Sequence, residues 1–334
     1  MKYRPPFTIT PQILNLVAGI SEAVGRLTAI AEQASALRLR RINRVRTIQG
    51  SLAIEGNTLS EAQITAILEG QRVIAPPREV QEVKNALAAY DRFDTWKPEA
   101  EKDLLEAHRI LMSGLIDEAG LYRHGGVGVM AGQQMIHMAP PANRVPQLMG
   151  DLFDWLTVTD AHPLVASSIF HYEFEFIHPF ADGNGRMGRL WQSLILARWN
   201  LLFADIPVES QVFQHQAEYY QAIQKSTQKS DSAPFIAFML RMILDTVSSS
   251  TPEVATEVTP EVRLLSVLTS EATRKQLKES LGLKDDEHFR KAYLLPALEA
   301  GLIEMTIPDK PRSSKQKYRL TDKGRQHAAQ HGGE

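Results

Sequence analysis

The chain has 334 residues, 43% hydrophobic and 23% charged, with a formal net charge of −2 and no cysteine. That length allows two or three domains with a sizeable core, and the near-neutral charge gives no global nucleic-acid or membrane footprint. Without cysteine there are no disulfides, zinc–thiolate sites or cysteine nucleophiles. With no signal-like start and no apolar run of membrane-spanning length, a cytoplasmic protein is the expectation.

An amphipathic helix is predicted over 12–36, where Ile13, Leu14, Val17, Ile20, Val24 and Leu27 recur at helical spacing. A second covers 37–54. Its arginines, Arg38 to Arg46, spread around the helix and read as a solvated, salt-bridged face rather than a nucleic-acid stripe. This helix ends in Ser51-Leu-Ala-Ile-Glu55-Gly56-Asn57, with Gly56 as a stop signal. Glu55 sits at the negative end of the helix dipole, an unfavourable place for a carboxylate, so a partner from elsewhere is expected. Ser60-Glu-Ala-Gln63 is a capping box for a helix that closes at Gly70. After Pro76-Pro77, helices follow over 80–96 and 99–115; His108 on the latter has no partner spaced near it and reads as a core-edge histidine. Residues 120–141 change character, and 127–130 with 135–138 read as a β-hairpin about Ala131-Gly132. A helix over 143–158 follows, with Leu148, Leu152, Trp155 and Leu156 at core spacing.

The densest chemistry is His178-Pro-Phe-Ala-Asp182-Gly183-Asn184-Gly185-Arg186-Met187-Gly188-Arg189. Helical patterns flank it over 163–177 and 186–199. Pro179 ends the first helix, and Gly183 and Gly185 permit the positive φ of a tight turn. Such a turn aims backbone N–H groups at one point, where the positive dipole end of the second helix also points. Arg186 and Arg189, spaced i, i+3, share a face. Asp182 is placed to hold a hard divalent cation, Mg²⁺, and His178 to take a proton near neutral pH. Together these features describe phosphate-ester chemistry.

Ala217 to Ala222 opens a helix with paired tyrosines, Tyr219 and Tyr220, and 235–247 is a closing apolar helix. Residues 248–259 have linker composition. Beyond them, helices over 259–268, 273–281 and 285–301 and strands over 302–307 and 316–320 resemble a winged helix. Residues 260–328 hold 14 Lys/Arg against 10 Asp/Glu, a modest positive balance compatible with DNA binding. Asp285, Asp286 and Glu287, however, open the third helix and would repel phosphate at the usual recognition end, which favours protein contact.

The twelve residues from His178 to Arg189 resemble the signature of the Fic family, written HPFx[DE]GNGRxxR, and match it throughout. The resemblance implies a mainly α fold: an all-helical core with a β-hairpin flap, joined to the small α+β winged-helix domain. It implies an N-terminal helical region over 1–100 containing an inhibitory helix (37–56), a catalytic core over 101–248, a linker over 249–259 and the winged helix over 260–334. The implied reaction transfers AMP from Mg·ATP to a Ser, Thr or Tyr hydroxyl of a protein, including the enzyme itself by auto-modification. His178 would be the base and Asp182 the Mg²⁺ ligand; Gly183, Asn184, Gly185, Arg186, Met187, Gly188 and Arg189 would line the ATP site. By the same resemblance Ile136 and His137 on the flap would cover the nucleotide, and Tyr220 would bound it. Ser51, Glu55 and Gly56 are similar to the family's inhibitory motif, with Glu55 expected to pair with Arg189. AMP removal and nucleotide sensing by a transcriptional regulator are the alternatives, and a homodimer that locks the inhibitory helix is compatible with the chain.

Overall fold

The computed structural model describes residues 3–31, 36–131, 134–256, 260–268, 270–283, 285–310, 313 and 316–325. The chain divides into two compact units at Thr251/Pro252. Mainly helical, it carries small β elements in each.

In the first unit, α1 (Pro11–Ala31) and α2 (Ala36–Ile54) precede α3 (Glu61–Leu68), α4 (Pro77–Arg92) and α5 (Glu101–Leu111). The hairpin β1 (Gly128–Ala131) and β2 (Gln134–Met138) leads to α6 (Val145–Val158), α7 (Pro163–Ile177) and α8 (Asn184–Trp199). Then come α9 (Val208–Gln214), α10 (Gln216–Lys229) and α11 (Ala233–Thr256), whose residues from Pro252 on belong to the second unit. Helices α7 and α8 form the centre. Nearly every residue of α7 from Leu164 to Ile177 is buried, including the polar Ser167, Ser168, His171, Glu173 and Glu175. Trp191 of α8 is also buried and donates its indole N–H to Pro98 O at 2.8 Å. Satisfying that donor lets so large a side chain sit in the core.

The predicted capping box is present: Ser60 Oγ accepts from the Gln63 N–H at 3.3 Å while Gln63 Oε1 accepts from the Ser60 N–H at 3.0 Å. The arginines of α2 are spread over separate acids. Arg40 pairs with Asp205, Arg41 with Glu69, Arg44 with Asp91 and Arg46 with Glu61. Each is a surface pair of small individual worth. What fixes α2 is packing. A Cβ on Gly50 would lie 2.6 Å from Ser210 N and 2.7 Å from Ser210 Cα, so only glycine lets α2 lie directly on α9. The Ser210 hydroxyl then donates to Arg46 O at 2.9 Å.

Two features differ from expectation beyond shifts of a few residues at element ends. Helix α11 continues to Thr256, into the stretch whose composition suggested a linker from residue 249, because Ser and Thr do not by themselves stop a helix that is already propagating. The hairpin contains a bulge: Val129 pairs with His137 and Met130 with Met135, which leaves Ile136 as the extra residue.

The second unit contains α12 (Pro260–Val267), β3 (Ala272–Thr273), α13 (Arg274–Ser280), α14 (Asp286–Phe289), α15 (Leu295–Glu299), β4 (Ile303–Met305) and β5 (Lys317–Leu320). Arg290–Leu294 winds as a π-helical segment, joining α14 and α15 into the single helix expected from sequence. The strands form an antiparallel sheet in the order β3-β5-β4. Strand β3, absent from the sequence prediction, is two residues long and has no periodicity to detect. Leu264, Leu268, Leu277, Phe289, Leu302 and Tyr318 are among the buried residues of a separate core.

Candidate active site

The site forms where α7 turns into α8. His178 is the first residue past α7 and adopts a left-handed conformation (φ 52°, ψ 61°), uncommon for a residue with a Cβ. Arg123 holds it there. Its buried guanidinium donates to His178 O at 2.7 Å, Pro140 O at 2.6 Å, Gly125 O at 2.8 Å and Ile177 O at 3.2 Å, and its own N–H donates to Pro179 O at 2.9 Å. A cation on the last carbonyls of α7 satisfies groups the helix leaves open and complements its negative dipole end.

The rest of the loop is stapled by side chains. Asn184 spans the backbone of Phe180, accepting its N–H and donating to its C=O, both at 2.9 Å. His108 is fully buried and stacks on Phe180 with ring centroids 3.6 Å apart. Its Nδ1 accepts from the Gly120 N–H at 2.8 Å, so Nε2 carries the proton and donates to Asp182 O at 3.0 Å. Burial lowers the His108 pKa to about 4, so this neutral tautomer persists near neutral pH.

At the start of α8, Gly183 has φ +85° and no side chain caps the helix. The first-turn N–H groups therefore lack intrahelical acceptors and form an anion-binding end. Arg186 reaches Asp182 Oδ1 at 3.3 Å and Glu82 Oε1 at 3.4 Å; Arg78 reaches Asp182 Oδ2 at 3.3 Å. Arg189 is turned into the same space. Its Nη2 donates to Glu55 Oε1 at 2.7 Å and to Ser51 O at 2.9 Å, and its Nε to Ser51 Oγ at 3.2 Å. Burial disfavours the Arg189 charge, but Glu55, together with Tyr219 and Glu175, outweighs it and holds the pKa above the ordinary value.

Glu55 covers the anion-binding end directly. A Cβ on Gly185 would clash with Glu55 Oε1 and lie 3.0 Å from Arg189 Nη1, a buried nitrogen with no hydrogen-bond partner. The carboxylate is delivered by Gly56 (φ +90°), which lets the chain turn past α2, and by Asn57, whose amide donates to Glu82 Oε2 at 2.9 Å. Gln216 Nε2 caps α2 through Ile54 O at 2.7 Å.

The structure thus brings together His178, Asp182, Gly183, Gly185, Arg186, Arg189, Ser51, Glu55 and Gly56. Tyr220 is half-buried at their edge; burial and then the Glu55 carboxylate raise its pKa. Ile136 and His137 lie on β2, and their side chains fall outside the described residues. Three of the residues expected to line the ATP site have their side-chain positions directed elsewhere. The Asn184 side chain is committed to Phe180. Met187 is fully buried, with its N–H bonded to Gly183 O at 3.0 Å. Gly188 faces the core, where an added Cβ would lie 2.7 Å from His171 Cδ2 and 3.1 Å from Glu175 Oε1. These three follow from the helical period of α8, which turns part of any contiguous motif inward. Arg123, Arg78, Glu82 and Glu175 carried no sequence signal, and the partners of His108 are remote in the chain.

Residues 93–196 match the family model described as Fic/DOC family, and residues 260–321 match Filamentation induced by cAMP protein Fic-like, C-terminal domain. The chain is 32% identical over 213 residues to a protein adenylyltransferase Fic of Nematostella vectensis, covering 60% of this chain and 47% of the relative. It is 31% identical over 235 residues to one of Drosophila willistoni, covering 67% and 45%. The chain thus spans about half the length of these curated relatives. A crystal structure of a Fic family protein from Desulfovibrio desulfuricans G20 is 53% identical, with a TM-score of 0.75 over 96% of this chain and 99% of that one. Fic-1 (residues 134–508) of C. elegans is 25% identical, with a TM-score of 0.57 over 73% and 72%.

Proposed function

The chain belongs to the Fic family, and from that premise we propose that it is a protein adenylyltransferase held in check by Glu55. It transfers AMP from ATP to a Ser, Thr or Tyr hydroxyl of a protein. The observation that carries this reading is the Glu55 carboxylate lying against Gly185 and Arg189, where the open end of α8 would receive phosphate.

The chemistry is a single in-line displacement. The target oxygen bonds to the α-phosphorus, the bond from that phosphorus to the bridging oxygen breaks, and pyrophosphate leaves. His178 takes the hydroxyl proton, a contribution of about 10²–10⁴-fold. The first-turn N–H groups of α8 and Arg186 stabilise charge moving onto the phosphate oxygens, and Arg189 holds the γ-phosphate. Arg189 cannot hold Glu55 and a γ-phosphate at once, so the inhibited protein binds ATP weakly or with its α-phosphate out of line.

Among the described residues, no group of three or more His, Asp or Glu side chains could hold a metal alone. Asp182 does fit Mg²⁺ that arrives with a triphosphate, since such ions often take only one or two protein carboxylates. Its carboxylate is part-exposed and its hydrogen bonds to arginine are long, at 3.3 Å. When bound, Mg²⁺ would offset charge on the phosphates. We read the second unit as a winged helix that contacts protein, on the strength of the exposed Asp285, Asp286 and Glu287 at its third helix.

Intact-mass analysis after incubation with Mg·ATP tests the proposal. The Glu55→Gly variant should gain one or more AMP adducts faster than wild type. An unmodified Glu55→Gly protein that also modifies no added protein would overturn it.

A further inference from the structure

Behind His178 lies a buried polar chain that the reaction above does not use. His171, on α7 two turns before His178, is fully buried. Gln192 fixes its ring: Gln192 Nε2 donates to Ser168 Oγ at 3.3 Å, which leaves Oε1 to accept from His171 Nδ1 at 2.6 Å. His171 Nε2 faces Tyr219 Oη at 3.1 Å and Glu175 Oε1 at 3.8 Å. Glu175 is 4% exposed, and its other oxygen, Oε2, lies 3.7 Å from His178 Nδ1. Both Glu175 Oε1 and His178 Nδ1 are buried without a hydrogen-bond partner. A carboxylate this enclosed is costly unless it serves nearby donors.

The charged groups around Glu175 come from three helices: His171 and His178 on or just beyond α7, Arg189 on α8, and Tyr219 and Tyr220 on α10. Burial raises the Glu175 pKa, but the two imidazoles and Arg189 outweigh it and hold the group below the ordinary carboxylate range. Glu175 is therefore ionised beneath the base. Gly188 makes room for the arrangement, because any larger residue there would collide with His171 and Glu175.

From this geometry we propose that Glu175 is a positioning residue for His178. Its Oε2 receives the Nδ1–H of the imidazole and so turns Nε2 toward the target hydroxyl. The 3.7 Å separation is too long for a hydrogen bond, and a small rotation of the ring closes it when the site fills, as catalytic contacts commonly tighten on binding. When Nε2 takes the hydroxyl proton, the imidazolium carries N–H on both nitrogens and Glu175 stabilises its charge. The proposal rests on His178 being the base for AMP transfer.

Two measurements separate failure of this proposal from failure of that reading. The first needs no activity: ¹⁵N NMR of histidine-labelled protein, with His178 assigned by its loss in His178→Ala. Wild type should show the neutral His178 ring protonated on Nδ1, and Glu175→Gln should lower its protonation midpoint by about one pH unit or more. An Nε2–H ring in wild type would overturn the proposal whether or not the variant folds, as would an unmoved midpoint in the folded variant. The second is kinetic, in the Glu55→Gly background. Glu175→Gln should lower kcat for AMP transfer by about 10- to 100-fold with the KM for ATP within about twofold. The acidic limb of the pH profile should move down with the NMR midpoint. A raised KM with an unmoved limb would mean a merely structural role. If Glu55→Gly transfers no AMP, the functional reading fails, and the NMR result still decides the pairing.

Discussion

Replacing Glu55 with glycine should raise the affinity for Mg·ATP about tenfold. The Arg189 side chain is 2% exposed and Glu55 is 35% exposed, with 2.7 Å between Nη2 and Oε1. A hydrogen bond between charged partners contributes about 1.5–3 kcal/mol. Water reaches Glu55 and screens its side of the pair, so the lower figure of about 1.5 kcal/mol applies. The triphosphate no longer has to displace that bond, and about 1.4 kcal/mol corresponds to a factor of ten in binding. Titration calorimetry in a His178→Ala background measures this without turnover consuming the nucleotide. ADP, which lacks the γ-phosphate, should gain about twofold at most. Unchanged ATP affinity, or an equal gain for ADP, would refute the competition between Glu55 and phosphate for Arg189.

The packing of α2 predicts that Gly50→Ala costs about 1–3 kcal/mol, because the new Cβ meets α9 backbone that cannot yield as a side chain would. An unchanged Tm by calorimetry would contradict that contact. Arg123→Lys should leave several loop carbonyls unpaired, since a single ammonium cannot span the carbonyls of 125, 140, 177 and 178. We expect a loss of about 3 kcal/mol in denaturant unfolding, or more; a change below about 0.5 kcal/mol would be contrary to the clamp. Glu209 on α9 is 2% exposed, and burial raises its pKa to about 7. The folded state therefore binds more protons than the unfolded state between the ordinary glutamate value of 4.5 and about 7, and stability falls as pH rises through that window. Glu209→Gln removes this slope, so its stability relative to wild type should improve by about 3 kcal/mol between pH 4 and pH 8. Parallel pH profiles would contradict the assignment.

What was legible in the sequence was local. The turn from His178 to Arg189 concentrates base, carboxylate, glycines and arginines within a few helical turns, and Ser60 to Gln63 states its own cap. Glu55 was found because a carboxylate at a helix C-terminus is anomalous and the family resemblance supplied Arg189 as its partner. What was not legible depends on contacts remote in the chain. His108 finds Asp182 and Gly120, Arg123 finds Pro140 and the end of α7, and Glu175 meets His178 only through the turn that ends α7. Residues 200–216 carried no prediction, yet α9 within them is what Gly50 packs against. Its pattern is too short for periodicity to show. Met187 and Gly188 face inward, because a contiguous motif on a helix is not a contiguous surface.

The most direct test of Glu55-restrained adenylyl transfer uses wild type, Glu55→Gly and Glu55→Gly/His178→Ala with ATP labelled on the α- or the γ-phosphate. The account predicts protein-bound label from the α-labelled donor alone, more in Glu55→Gly than in wild type, and none in the double variant. Label from the γ-position, or transfer that survives loss of His178, would contradict it.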